Sequence, residues 1–157
     1  DHYNPANKTL NLSDSVYNSN SVAAAAVAAH ECGHAVQHAE GYAFLKMRSA
    51  LVPIVQFSSM FAQIVIILGL VMMNVFPSLY WIGIAMFFMI FLFSAITLPV
   101  EYNASARALA WLERSNTLST VELDQARTTL RWAARTYLVA ALSALASLVY
   151  YLGFRRE

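Results

Sequence analysis

The sequence holds a single cysteine, Cys32, so no disulfide framework can form within the chain. Charge is scarce as well. Asp, Glu, Lys and Arg make up 12% of the residues and hydrophobic side chains 59%, about half the charge of an ordinary soluble domain. The net charge of +1 gives no case for a nucleic-acid partner. Internal repeats and low-complexity tracts are absent. So are an initiating methionine and a signal-peptide pattern, and Asp1 is therefore expected to follow a longer N-terminal part.

The shortage of charge is concentrated. Residues 49–100 contain no Asp, Glu, Lys or Arg. A membrane span needs about 20 apolar residues, so this stretch is long enough for two. It divides at NVFPS, Asn74 to Ser78, whose Asn, Pro and Ser mark a turn. The expected spans run over residues 54–76, just after Pro53, and 79–98, stopping at Pro99. A third charge-free stretch, residues 136–154, is richer in Ala and Ser. A chain of 157 residues has too little other surface to bury these helices as a soluble core. Trp81, Trp132, Tyr137, Tyr150 and Tyr151 sit near the proposed ends, as interfacial aromatics do.

The first twenty residues are polar and turn-rich. Within them KTLNLS alternates apolar Leu10 and Leu12 with polar neighbours, which predicts one exposed strand over residues 9–12. From Ser21 an Ala-rich helix is expected, capped by Asn20 or Ser19 and ended by Gly41. A further helix should follow Pro99, and STVE, Ser119 to Glu122, reads as a capping box opening a long helix that carries Arg127, Arg131 and Arg135 into the third span. The expected architecture is mainly α: an integral membrane helical bundle, one domain over residues 1–157, with at most one short edge strand.

The Ala-rich helix carries AAHECGHAVQHAE, Ala28 to Glu40. His30, Glu31 and His34 form HExxH, which puts both imidazoles on one helical face within reach of one ion. Zinc suits neutral imidazole and takes three protein ligands in catalytic sites, leaving a position for water. Glu31 beside that water can accept its proton and pass it to a leaving amine, which is what peptide hydrolysis needs. Chance occurrence of a short motif is the competing reading, with His30 and His34 as structural polar residues. His38 shares the face but lies about 12 Å along the axis from His30, too far to share an ion. It reads as a residue of the helix end, as one backing the ligands, or as simply solvated. Glu40 stands where one class of zinc protease has its third histidine, but that class needs glycine at position 37, where this chain has Gln37. Cys32 reads as a small core residue.

Glu101 is the better third ligand. It is the first charge after the gap, and two crossings return the chain to the side it left, so the helices bearing HExxH and Glu101 share one face of the membrane. An acid so close to hydrocarbon asks for a partner. A zinc ion held by His30 and His34 supplies one, with Arg107 as the alternative.

The arrangement resembles the membrane-embedded gluzincins, which include the HtpX heat-shock proteases and the CAAX prenyl proteases. It is most similar to the YugP-type neutral zinc metallopeptidases of bacterial membranes. DHYNP, LNLSDSVYN, AVAAHECGHAVQHAEGY, KMRSALVP and LPVEYNASARAL carry the likeness, spread over residues 1–109. The resemblance implies a further N-terminal membrane helix, zinc ligation by His30, His34 and Glu101, and Glu31 as general base. It departs from the HtpX pattern at Ser105, where those proteins carry Asp four residues after the ligand Glu. By analogy, the strand near Thr9 to Leu12 could pair with an extended substrate.

The expected activity is zinc-dependent endoproteolysis of peptides or membrane proteins at the cytoplasmic face of a bacterial inner membrane. Lys46, Arg48, Arg107, Arg114, Arg127, Arg131 and Arg135 lie on the side bearing the site, while the turn at residues 74–78 is uncharged. Arg155 and Arg156 would fall outside. Two other readings compete: a scaffold in which metal only staples helices, and an intramembrane protease with residues 22–36 in the bilayer, although no LDG-like third-ligand segment follows. His38, Tyr102 and Arg107 are candidates for stabilising an oxyanion.

Overall fold

The computed structural model describes residues 1–154, so Arg155 and Arg156 lie outside the described residues. The chain is mainly α. Two short strands, β1 (His2–Asn4) and β2 (Thr9–Asn11), precede α1 (Asp14–Tyr17), α2 (Val22–Glu40), α3 (Ala43–Val71), α4 (Pro77–Arg114) and α5 (Thr120–Gly153). The last three are long and apolar enough to cross a membrane by length and composition. Contacts divide the chain into two compact units, one of Asp1–Lys46 with Leu98–Thr136 and the other of Met47–Thr97 with Tyr137–Glu157.

In the first unit the expected strand has a partner. β1 and β2 pair antiparallel, with Tyr3 opposite Leu10, and the turn between them places Lys8 in the left-handed region. One alternating segment marks a strand, but β1 contributes only HYN, too short to show a period. The helical turn α1 also escapes a pattern reading for its length. Ser21, rather than Asn20 or Ser19, caps α2. Its hydroxyl accepts from Ala24 N–H at 3.1 Å because the helix begins one residue later than expected. Gly41 ends α2 in the left-handed conformation, with its own N–H bonded to the His38 carbonyl and that of Tyr42 to Gln37. The core is built of small side chains, with Ala26, Ala29, Ala108 and Ala126 packed around Leu112 and Leu130. Such a surface lets helix backbones approach. At Gly33 of α2 a Cβ would stand 2.5 Å from the Ala104 carbonyl oxygen of α4.

Pro99 does not stop a helix. α4, 38 residues long, continues through it to Arg114, and α3 runs likewise through Pro53. Proline removes one amide donor from the ladder, but a long helix held by packing on both sides of the proline absorbs that loss. The expected span and the expected post-proline helix are therefore one continuous helix. The capping box forms as read: Ser119 N–H donates to Glu122 Oε1 at 3.0 Å, and Glu122 N–H to Ser119 Oγ at 3.2 Å.

The second unit centres on Ile66, Tyr80, Ile84 and Leu148, all buried. α3 and α4 meet closely at Gly69, where a Cβ would lie 2.5 Å from Tyr80 Cα. The turn between these helices occupies residues 72–76, and Pro77 takes the first position of α4, where its missing N–H costs nothing. Polar groups in this apolar surrounding are satisfied: Tyr80 donates to the Tyr151 carbonyl and Gln63 to the Tyr151 hydroxyl. Large apolar side chains such as Phe57, Met60, Ile64 and Val71 are exposed along α3, which suits a lipid surrounding rather than water.

Candidate metal centre

The candidate residues all lie in the first unit. α2 presents His30 and His34 one turn apart, their rings 4.7 Å between centroids and nearly perpendicular. α4 brings Glu101 against them, with 2% of its surface exposed. His30 Nε2 lies 2.7 Å from Glu101 Oε2, and His34 Nε2 lies 3.4 Å from Oε1. One ligand atom from each of the three falls within 4.8 Å of the others. Two helices far apart in sequence thus converge three donors on one point.

The outer ring nitrogens are also held. His30 Nδ1 is 2.9 Å from Ser105 Oγ, so the residue that departs from the HtpX pattern still reaches the first histidine. A serine hydroxyl can accept the Nδ1 proton as a carboxylate would, without adding a charge. His34 Nδ1 is 2.9 Å from Gln37 Oε1. The Gln37 amide nitrogen donates to the Val100 carbonyl at 2.8 Å and to Asn103 Oδ1 at 3.0 Å. These bonds fix the amide orientation, so its oxygen faces His34 and requires a proton on Nδ1. Nε2 is then the atom left to bind a cation. Gln37 is fully buried. Sequence reading treated it only as a missing glycine. The signal that could have found it is its place three residues after His34, on the same helical face.

The remaining candidates stand elsewhere. Glu40 is exposed and forms an ion pair with Arg107 at 2.8 Å, and Arg107 also donates to Asn103 Oδ1. Neither belongs to the cluster of three donors. Tyr102 is half exposed. His38 Nδ1 lies 2.8 Å from the Tyr3 hydroxyl of β1. Cys32 is exposed, against the expectation of a core residue. The packed face of α2 is that of Ala26, Ala29, Gly33 and Gln37, and Cys32 falls with exposed Val36 on the other.

Glu31 is nearly buried but takes no hydrogen bond or ion pair from a described residue. Burial pushes its carboxyl above the ordinary value, with His34 and His30 pulling the other way. Burial alone would depress His34. Its bond to Glu101, that carboxylate's charge and the bond to Gln37 outweigh this and hold the imidazole above its usual value. A site that stabilises a positive charge between two imidazoles and a buried carboxylate fits a divalent cation replacing that proton. Two nitrogens and one oxygen are donors that zinc accepts.

Residues 1–156 match the family described as "Putative neutral zinc metallopeptidase". The chain belongs to that family. It is also 37% identical over 151 residues to "Putative membrane protease YugP" of Bacillus subtilis (strain 168), covering 96% of this chain and 66% of that protein. The chain therefore spans slightly less than two thirds of the relative's length. No solved structure matches it. The family implies zinc, and the relative together with the three apolar helices places the chain in a membrane.

Proposed function

We propose that the chain is the catalytic part of a zinc-dependent membrane endopeptidase, with His30, His34 and Glu101 as ligands and Glu31 as general base. The observation that carries this reading is the pair of Nε2 atoms turned toward Glu101, each backed by a hydrogen bond on its own Nδ1. Bound zinc would supply the Lewis acidity that polarises a peptide carbonyl and makes a water more acidic. Glu31 takes the proton as the water oxygen bonds to the carbonyl carbon, then gives it to the amine nitrogen as the C–N bond breaks. A carboxylate without a hydrogen-bond or ion-pair partner among the described residues is free for that transfer, whereas a metal used only as a staple gives Glu31 no task.

The site is proposed to face the cytoplasm of a bacterial cell, acting on peptides or membrane proteins beside the lipid surface. The test is zinc content per purified chain, together with hydrolysis of a fluorogenic peptide mixture. Wild type is expected to hold one zinc. Glu101→Ala should lose it and Glu40→Ala should keep it. Glu31→Gln should keep zinc and lose turnover by about 10²–10⁴-fold. Full zinc in Glu101→Ala would sink the ligand set, and unchanged turnover in Glu31→Gln would return the scaffold reading.

A further inference from the structure

We propose that His38 binds a main-chain carbonyl of the substrate and that Tyr3 positions it by fixing its tautomer. This rests on the peptidase reading above. His38 lies one helical turn beyond His34 on the face that carries His30 and His34. Its Nδ1 is 2.8 Å from the Tyr3 hydroxyl, and the two rings stand 5.7 Å apart in a tilted contact. Both residues are partly buried, and Tyr3 is held in β1 by its pairing opposite Leu10. No other described residue hydrogen-bonds the imidazole.

A phenol is a strong donor whose oxygen lone pairs are partly drawn into the ring, while an unprotonated imidazole nitrogen is a strong acceptor. In the proposed arrangement Tyr3 donates to Nδ1, which puts the imidazole proton on Nε2. That N–H meets no acceptor among the described residues, and it belongs to the residue one helical turn beyond His34.

Distance decides what it can donate to. His38 is about 6 Å along the axis from His34, and an extended chain advances about 3.3–3.6 Å per residue. The carbonyl it meets is therefore about two residues from the bond being cut. His38 holds substrate; it does not stabilise the oxyanion. A role limited to tethering the hairpin to α2 would leave ligand binding untouched, which gives the test.

The zinc-loaded full chain would be titrated with acetohydroxamate, which has no peptide carbonyl beyond its metal-binding group. Peptide hydroxamates extended on the amino side and on the carboxyl side would be titrated in parallel. His38→Ala should leave acetohydroxamate affinity unchanged and weaken one extended series by about five- to tenfold, the worth of one hydrogen bond. Tyr3→Phe should act in the same direction but less. It leaves its ring in place, so it keeps the test decisive if His38→Ala does not fold. Nitrogen-15 spectra should show the His38 proton on Nε2 in wild type and shared between nitrogens in Tyr3→Phe. Unchanged affinity for every extended hydroxamate, or a wild-type proton on Nδ1, would overturn the proposal. Failure of wild type to bind any hydroxamate would overturn the peptidase reading itself, and this inference with it.

Discussion

Each histidine of the centre is oriented by a neutral partner, and the two partners differ in what they permit. Ser105 can donate or accept, whereas Gln37, locked by Val100 and Asn103, can only accept from His34. Removing either partner frees an imidazole to rotate or change tautomer. Ser105→Ala and Gln37→Leu are each expected to weaken zinc binding by about 10–100-fold, read by competition with a chromogenic chelator. Gln37→Leu should be the worse, because it also removes the buried amide bonds that tie α2 to the Val100 carbonyl and Asn103 on α4. The raised value of His34 adds a pH dependence. Its folded form binds a proton more tightly than the unfolded chain, whose ordinary value is 6.5. That contribution to stability is complete below 6.5 and is lost as pH rises through the higher folded value. Zinc competes with the same proton, so its affinity should rise over the same window. Melting curves with and without a chelator should therefore diverge as pH increases. Parallel curves would mean that His34 does not exchange a proton for the metal.

At the scale of elements, the site depends on how closely α2 and α4 approach. Gly33 sits between His30 and His34 in sequence, against the Ala104 backbone, and Ala104 lies between Glu101 and Ser105 on the facing helix. Gly33→Ala should push the two helices apart, costing about 1–3 kcal/mol of stability and most of the zinc affinity. Ser119→Ala, which removes half of the capping box, should cost about 1 kcal/mol and leave zinc untouched. Equal zinc loss in both variants would mean that general destabilisation, not helix spacing, governs the centre. The same elements show what sequence could reveal. HExxH and the capping box are local patterns, and Glu101 stood out because nothing charged precedes it for so long. β1 was too short to carry a period. Pro99 misled because proline breaks a helix in water more readily than one held by packing. Gln37 and Tyr3 gain their roles from partners distant in sequence, Val100 for one and His38 for the other.

For the whole molecule, orientation in the membrane decides which substrates can reach the site. The proposed cytoplasmic orientation rests on the positive-inside rule, applied to the basic residues near the site and the uncharged turn over residues 74–78. The chain carries its own reporter, since Cys32 is its single cysteine, is exposed and adjoins Glu31. Burial and the Glu31 carboxylate push its thiol above the ordinary value, so labelling calls for an alkaline buffer in which the thiolate is populated. A membrane-impermeant maleimide should leave Cys32 unlabelled in intact cells and label it after lysis. The complementary variant, Cys32→Ser with Ser78→Cys, should label in intact cells. Cys32 labelling before lysis would reverse the orientation and direct the search for substrates outside the cell. Ser78→Cys unlabelled until lysis would mean that residues 54–76 and 79–98 do not both enter the bilayer as crossings. With both results as expected, the accessible substrates become cytoplasmic peptides and the inner-face segments of membrane proteins, because only these reach a site held beside the lipid on that side.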